Sequence, residues 1–299
     1  MQVTRKERER LIQLGYHYAP EALGKSNREL DQAMILEWQK FHELDVAKGV
    51  QKMHMRAFTP DGEIGPATLT SIWQMRCAFP DFRSPDSPSV LASVQEGNWP
   101  DQCRNELTWD SIIGALKGLS KEEVQAAVVG AFNNLMSDLQ VTFKHKPGEY
   151  PNVRFAERSK NLGNSGILAQ HLLAYNNCGG STWGEFNTAV TWPSATYFKT
   201  TATHEFGHGL GMDHTPRDNT ALMYPSINNA SIARGGRFSD SDFAEATRKG
   251  YSKRVGDIPT DPDVPVPDPA PGGNLVATIF DGTVVVGGKI IIFRNGEVV

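Results

Sequence analysis

Residues 204–214 read His-Glu-Phe-Gly-His-Gly-Leu-Gly-Met-Asp-His. Their types and spacing point to a catalytic metal site. His204 and His208 are four positions apart, so on a helix both imidazoles fall on one face, one turn apart. That spacing suits two nitrogen ligands of a tetrahedral Zn²⁺, with Glu205 beside them to act on a water at the metal. Gly211 can take the positive φ that ends a helix and turns the chain. His214 then returns as a third ligand. Three protein ligands leave a fourth position open, which separates a catalytic zinc from a structural one. A bare HExxH can arise by chance on an amphipathic helix. Five fixed positions (His204, Glu205, His208, Gly211 and His214) do so far more rarely.

The elements around this stretch follow from pattern. Residues 195–210 read as the helix that carries the ligands. Upstream, 106–109, 141–144, 152–156, 166–175 and 188–192 read as strands. Residues 121–139 form a helix with Ser120 and Glu123 as a capping box. Residues 240–251 form a last helix capped by Ser239. The N-terminal 80 residues are helical, over 5–15 and 27–44, the second with Ser26 as a cap. A turn at Asp61-Gly62-Glu63-Ile64-Gly65 then leads into a helix with Pro66 early in it.

Bulk properties narrow the function classes. The chain has 299 residues, 39% hydrophobic and 21% charged, with a net charge of −4. This composition suits a globular chain of more than one domain. The charge gives no reason to expect nucleic acid or an anionic membrane as partner. No run approaches the length of a membrane span. The first residues are basic but lack an apolar h-region, so they do not read as a signal peptide. Three cysteines, Cys77, Cys103 and Cys178, are too few for a disulfide scaffold. Cys103 and Cys178 can pair outside the cytosol or remain free thiols.

Ala221-Leu222-Met223-Tyr224-Pro225 follows the third histidine at short range. HExxHxxGxxH with a methionine-containing turn downstream resembles the metzincin pattern. Within it, HEFGHGLGMDH, Thr215 and ALMYP are similar to the matrixins, the matrix metalloproteinase family. That resemblance implies an α+β catalytic domain, a mixed twisted sheet with three helices, and places Met223 in the Met-turn under the zinc ligands. It also implies that the strand at 166–175 lies at the sheet edge over the cleft. Leu168, Ala169, Gln170 and Leu172 would there pair with an extended substrate. Tyr224 and Pro225 would bind substrate, and the segment from Pro225 to Arg237 would form one wall of the specificity pocket, its small and polar residues naming no preferred side chain. Matrixins also use a histidine in that edge strand for a structural zinc. Residues 184–190 supply no partner histidine, so His171 is expected to be hydrogen-bonded or exposed instead. One catalytic Zn²⁺ is expected, and Ca²⁺ has no identifiable site. His17, His42, His54 and His145 read as scattered and solvated.

Residues 75–81 read Met-Arg-Cys-Ala-Phe-Pro-Asp. They resemble the cysteine-switch segment that ends a matrixin propeptide, with Ala78 where the family usually has glycine and Met75 where it often has proline. A thiolate is a strong zinc ligand. Cys77 would therefore fill the open position and keep the enzyme latent; the bland alternative is a buried free cysteine. The turn at 61–68 resembles the three-helix peptidoglycan-binding-like fold of matrixin propeptides.

The expected organisation is a helical prodomain at 1–81, a Ser/Pro-rich connector at 82–100, a catalytic domain at 101–254, a linker at 255–273 and a short β-rich tail at 274–299. The linker holds six prolines within 13 residues, a semi-rigid spacer of roughly 40 Å. The function expected is a zinc endopeptidase made as a latent zymogen, acting on protein or peptide substrates outside the cell. The competing class is a cell-wall- or phage-particle-associated protein. Its N-terminal domain would bind peptidoglycan, or its tail an assembly partner, with proteolysis secondary.

Overall fold

The computed structural model describes residues 3–43, 45–47, 58–82, 99–148, 151–157, 166–171, 177–256, 282–286, 289–294 and 297–298. The chain separates into two compact units, Met1–Pro265 and Val266–Val299.

In the first unit the chain opens with α1 (Arg5–Gln13), a short 3₁₀ turn, α2 (Asn27–Phe41) and α3 (Pro66–Ile72). Pro66 sits in the first turn of α3, where a missing N–H costs nothing. Ser26 occupies the N-cap position of α2, but its side chain makes no capping bond. The three helices close over Leu11, Leu14, Tyr16, Met34, Trp38 and Ile72, a core of their own. The chain then enters a two-residue strand, β1 (Arg76–Cys77).

The rest of this unit is a mixed α/β module. A four-residue helix α4 (Asp101–Arg104) leads into β2 (Glu106–Ser111). Helix α5 (Lys121–Asp138) and the strands β3 (Thr142–His145), β4 (Val153–Glu157), β5 (Ile167–His171) and β6 (Thr182–Phe186) follow. The sheet runs β1-β5-β6-β4-β2-β3. Strands β3, β2, β4 and β6 run parallel to one another, and β5 is antiparallel to β6. Helix α6 (Ala195–Gly209) packs on α5 and on the sheet. A core of Trp109, Phe132, Phe143, Phe198 and Phe206 fills the space between. Two shorter helices, α7 (Asn229–Ala233) and α8 (Asp240–Arg248), complete it. The capping box of Ser120 and Glu123 on α5 is formed, and Ser194 and Ser239 cap α6 and α8.

Three expectations need correction. The strand expected at 188–192 is a turn, and the strand before it is Thr182–Phe186. Asn187 causes this: its side chain accepts from Ala189 N at 2.9 Å and donates to Ile167 O at 2.7 Å, bending the chain out of the sheet. The connector does not run exposed to residue 100. Trp99 is fully buried and its indole donates to Gly209 O at 2.9 Å, fastening the start of the module to the end of α6. Residues 83–98 lie outside the described residues. His42 is not solvated: it is 1% exposed at the end of α2. His54 lies outside the described residues, as do Leu172 and the linker at 257–273.

Cys103 in α4 and Cys178 ahead of β6 form a disulfide. The second unit is a three-stranded antiparallel sheet, β7 (Gly282–Val286), β8 (Lys289–Arg294) and β9 (Glu297–Val298). No helix among the described residues is long and apolar enough to cross a membrane.

Candidate active site

Helix α6 carries His204 and His208 on one face at its C-terminal end. Gly211, at φ 93°, turns the chain, and His214 comes back to meet them. The side chains of Cys77, His204, His208 and His214 place one ligand atom each within 4.8 Å of one another. Each histidine has one nitrogen committed. His204 Nδ1 donates to Leu222 O at 2.7 Å and His208 Nδ1 to Met212 O at 2.8 Å. His214 Nδ1 faces Asp81 Oδ1 at 2.9 Å. Those acceptors fix the tautomers, so Nε2 carries the lone pair in all three rings. All three Nε2 atoms are buried with no protein hydrogen-bond partner. Three orphaned nitrogen lone pairs beside a thiol would be costly as a purely protein arrangement. They match the donor set of a tetrahedral Zn²⁺.

Burial, with the neighbouring imidazoles, depresses the histidine pKa values, that of His204 to about 3. The shift favours the neutral ring, the form in which a histidine can be a metal ligand. Burial, and then the Glu205 carboxylate, push the Cys77 thiol up. A thiolate there calls for a cation in the cluster. Glu205 is fully buried, and burial lifts it to about 8, with a contact to the Cys77 thiol at 3.5 Å acting the other way.

The support beneath the cluster is built from residues without an obvious motif. The Asp242 carboxylate accepts from Leu222 N at 2.7 Å and Met223 N at 2.8 Å, which pins the turn whose carbonyl holds His204. Met223 is fully buried below it. A methyl group added at Gly207 would meet Met223 Sδ at 2.4 Å, so any side chain between Phe206 and His208 would displace the methionine. The only foresign of Asp242 in the sequence is its place three residues after Ser239 in a capping box.

The cleft above the cluster is filled by the chain's own residues 76–81. β1 pairs parallel with β5, Arg76 opposite Ile167 and Cys77 opposite Ala169. Arg76 N donates to Gly166 O at 3.0 Å, Ala78 N to Ala169 O at 2.8 Å and Cys77 N to Pro225 O at 3.1 Å. Of the residues expected to bind substrate, Ala169 and Pro225 thus hold this segment, and Leu168 lies at the cavity beside it. Gln170 turns instead to Glu185, at 2.7 Å. Phe79 stacks on His208, ring centroids 4.1 Å apart. His171 is buried against Phe206 and Gly209.

Arg76 and Asp81 lock the segment. The guanidinium makes two bonds to the carboxylate, at 2.7 and 2.9 Å, and both side chains are wholly buried. Tyr16 OH donates to Asp81 at 2.8 Å, and Arg76 lies 3.0 Å from His42 Nε2. Burial opposes the charge on Asp81, but Arg76, His214 and His42 hold its carboxyl well below the usual range. Tyr224 OH donates to Asp45 at 2.7 Å, a second tie to the helical domain.

This arrangement has known counterparts. The matrixin family description matches residues 98–248, just over half of the chain and all of the ligand set except Cys77. The chain belongs to the matrixin family. Matrixins are zinc-dependent metalloendopeptidases acting on protein substrates. Among its matrixin relatives, neutrophil collagenase of Homo sapiens is 29% identical over 247 residues, 78% of this chain and 48% of its own length. Matrix metalloproteinase-2 of Drosophila melanogaster is 28% identical over 210 residues, 62% of this chain and 27% of its own length. Matrix metalloproteinase-20 of Homo sapiens is 26% identical over 247 residues, 78% of this chain and 48% of its own length. This matrixin chain spans about half the length, or less, of the curated relatives it matches.

Proposed function

We propose that the chain is a zinc endopeptidase held latent by its own N-terminal domain, with protein substrates that bind extended along β5. One observation carries the reading: the Cys77 thiol stands in the same cluster as three partnerless histidine nitrogens. His204, His208 and His214 would hold the zinc, and Cys77 would be the fourth ligand of the latent state. When bound, the zinc supplies Lewis acidity, activating a water and polarising the scissile carbonyl.

The chain's own groups do the rest. Glu205 takes the proton of the attacking water and hands it to the leaving amine. Its place one residue after His204, in the same buried cluster, suits a group that must reach a water at the metal. The free edge of β5 offers backbone donors and acceptors to any extended peptide. Residues 76–78 occupy those groups in the parallel sense. A substrate running antiparallel to β5 can enter only when they leave. The Cys103–Cys178 disulfide fits an oxidising, extracellular setting.

The test is zinc content and hydrolysis of a denatured protein by wild type, Glu205→Ala and Cys77→Ser. One zinc per chain is expected in all three. Hydrolysis should be abolished in the first variant and appear without activation in the second. A chain that binds no zinc, or whose hydrolysis survives Glu205→Ala, would refute the proposal.

A further inference from the structure

Helix α6 ends between His208 and His214, where Gly209, Leu210 and Gly211 turn the chain from one histidine toward the next. A helix end leaves its last carbonyls without partners in the helix. Those of Phe206, Gly207 and His208 accept from Leu210 N, Met212 N and Gly211 N within the turn. The next two are taken by side chains from outside the helix. Trp99 Nε1 donates to Gly209 O at 2.9 Å, and Tyr251 OH donates to Leu210 O at 3.0 Å. Trp99, Leu210 and Tyr251 are all buried, so bulk water does not compete for either bond. A third side chain joins the two donors. Arg104 Nε donates to Trp99 O at 3.1 Å and Nη1 to Gly250 O at 3.0 Å, and the guanidinium lies over the Tyr251 ring. The residue before it, Cys103, is bonded to Cys178. The Cys178 loop is itself fixed. Asn152 Nδ2 donates to the carbonyls of Cys178 and Gly180 at 3.0 and 3.1 Å, while its Oδ1 accepts from Thr108 N of β2 at 2.9 Å.

We propose that Trp99 is a positioning residue for the ligand cluster, and that the Cys103–Cys178 disulfide keeps it seated after activation. The proposal rests on the endopeptidase reading above. The two capped carbonyls lie between His208 and His214, so they set the course of the chain from one ligand to the next. Losing either donor leaves a buried carbonyl unsatisfied, and the turn must shift to find another partner. His208 feels such a shift twice: through Gly209 next to it, and through Met212 O, which accepts from its Nδ1. In the intact chain Trp99 has covalent chain on both sides. A cut within 83–98 makes it one of the first residues of the module, and chain ends fray unless tied down. Cys103 stands four positions beyond Trp99, so the disulfide confines the fraying to a few residues. The activating cut therefore falls before Trp99, since a cut beyond it discards the indole.

The test uses the full-length chain loaded with Zn²⁺ or Co²⁺, intact and after cleavage within 83–98. Trp99→Phe keeps an aromatic ring and loses the N–H, and Tyr251→Phe loses only the hydroxyl. After cleavage each variant should release zinc to a chelator about tenfold faster than wild type, the size of one buried hydrogen bond. Its kcat should fall with KM unchanged, and the visible absorption of the Co²⁺-loaded chain should change. Cys103→Ser with Cys178→Ser should release zinc at the wild-type rate while intact and about tenfold faster than wild type once cleaved. N-terminal sequencing of the active wild-type product should find Trp99 or an earlier residue first. Wild-type zinc release and cobalt spectra in both aromatic variants, or an active product that starts after Trp99, overturn the positioning role. A disulfide variant that exceeds the wild-type release rate by the same factor intact and cleaved overturns the role given to the disulfide. A wild-type chain that takes up neither metal overturns the endopeptidase reading instead.

Discussion

Asp81 Oδ1 lies 2.9 Å from His214 Nδ1, so a carboxylate at the end of the helical domain orients a histidine of the ligand cluster. The same carboxylate takes two bonds from Arg76 and one from Tyr16. Departure of the segment would take the acceptor from His214 and the thiol from the cluster together. Latency and ligand orientation are in this way coupled through one side chain.

That coupling makes Asp81→Asn informative. An amide cannot replace both carboxylate oxygens, and it leaves the wholly buried Arg76 uncompensated. Breaking such a pair costs about 3–5 kcal/mol. The intact variant should melt earlier than wild type and hydrolyse substrate without prior cleavage. After cleavage within 83–98 it should match cleaved wild type, because Asp81 is then gone from both. Thermal unfolding and hydrolysis rates before and after cleavage check this; an intact variant as silent as wild type would contradict it.

Cys77→Ser should release activity with much less loss of fold. A serine hydroxyl is a poor zinc ligand beside a thiolate, yet it keeps the backbone bonds of 76–78 to β5 and Pro225. The intact variant should show partial activity, rising further on cleavage, because the segment still covers the cleft. Progress curves on a fluorogenic peptide separate the two stages.

Glu205→Gln should lower kcat by about 10²- to 10⁴-fold, the usual contribution of a positioned base. Its isosteric amide keeps the packing around His204 and His208. Zinc content should therefore stay at the wild-type value. Loss of metal together with activity would instead make Glu205 a structural residue.

Much of this site was legible because its chemistry is local. His204, Glu205 and His208 share one helix, and Gly211 announces the turn that returns His214. The supports were not legible, because their partners are distant in sequence. His42 meets Arg76 and Asp81, 34 and 39 positions away. Tyr224 meets Asp45 across 179 positions. Phe79 had no sequence signal for its place on His208. The misread strand has a physical reason too. Thr188, Val190, Thr191 and Trp192 have strand-forming side chains, but Asn187 commits its own to a turn. The real strand, Thr182–Phe186, was hidden by Gly184 and Glu185, which strands usually avoid.

Acid should loosen the latent form through His42. This ring stacks on Trp38 and faces Arg76, Asp81 and Asp45, with the rings of Phe41 and Tyr224 nearby. Burial lowers its pKa from the ordinary 6.5, and Arg76 adds to that, although Asp81 and Asp45 oppose it. When neutral, Nε2 accepts from Arg76; when protonated, it would turn an N–H against that guanidinium. Above pH 6.5 the ring is neutral in both the folded and unfolded chain and adds no pH dependence. Below 6.5 the unfolded chain takes up a proton that the latent fold refuses. Stability then falls by up to about 1.4 kcal/mol per pH unit until the folded pKa is reached. His42→Gln keeps an acceptor for Arg76 and removes the titration. Between pH 6.5 and 5 the melting temperature of the intact wild type should fall faster than that of the variant. The ligand histidines titrate in both chains and cancel in the difference. Parallel melting curves across that range would show that His42 is not the group responsible.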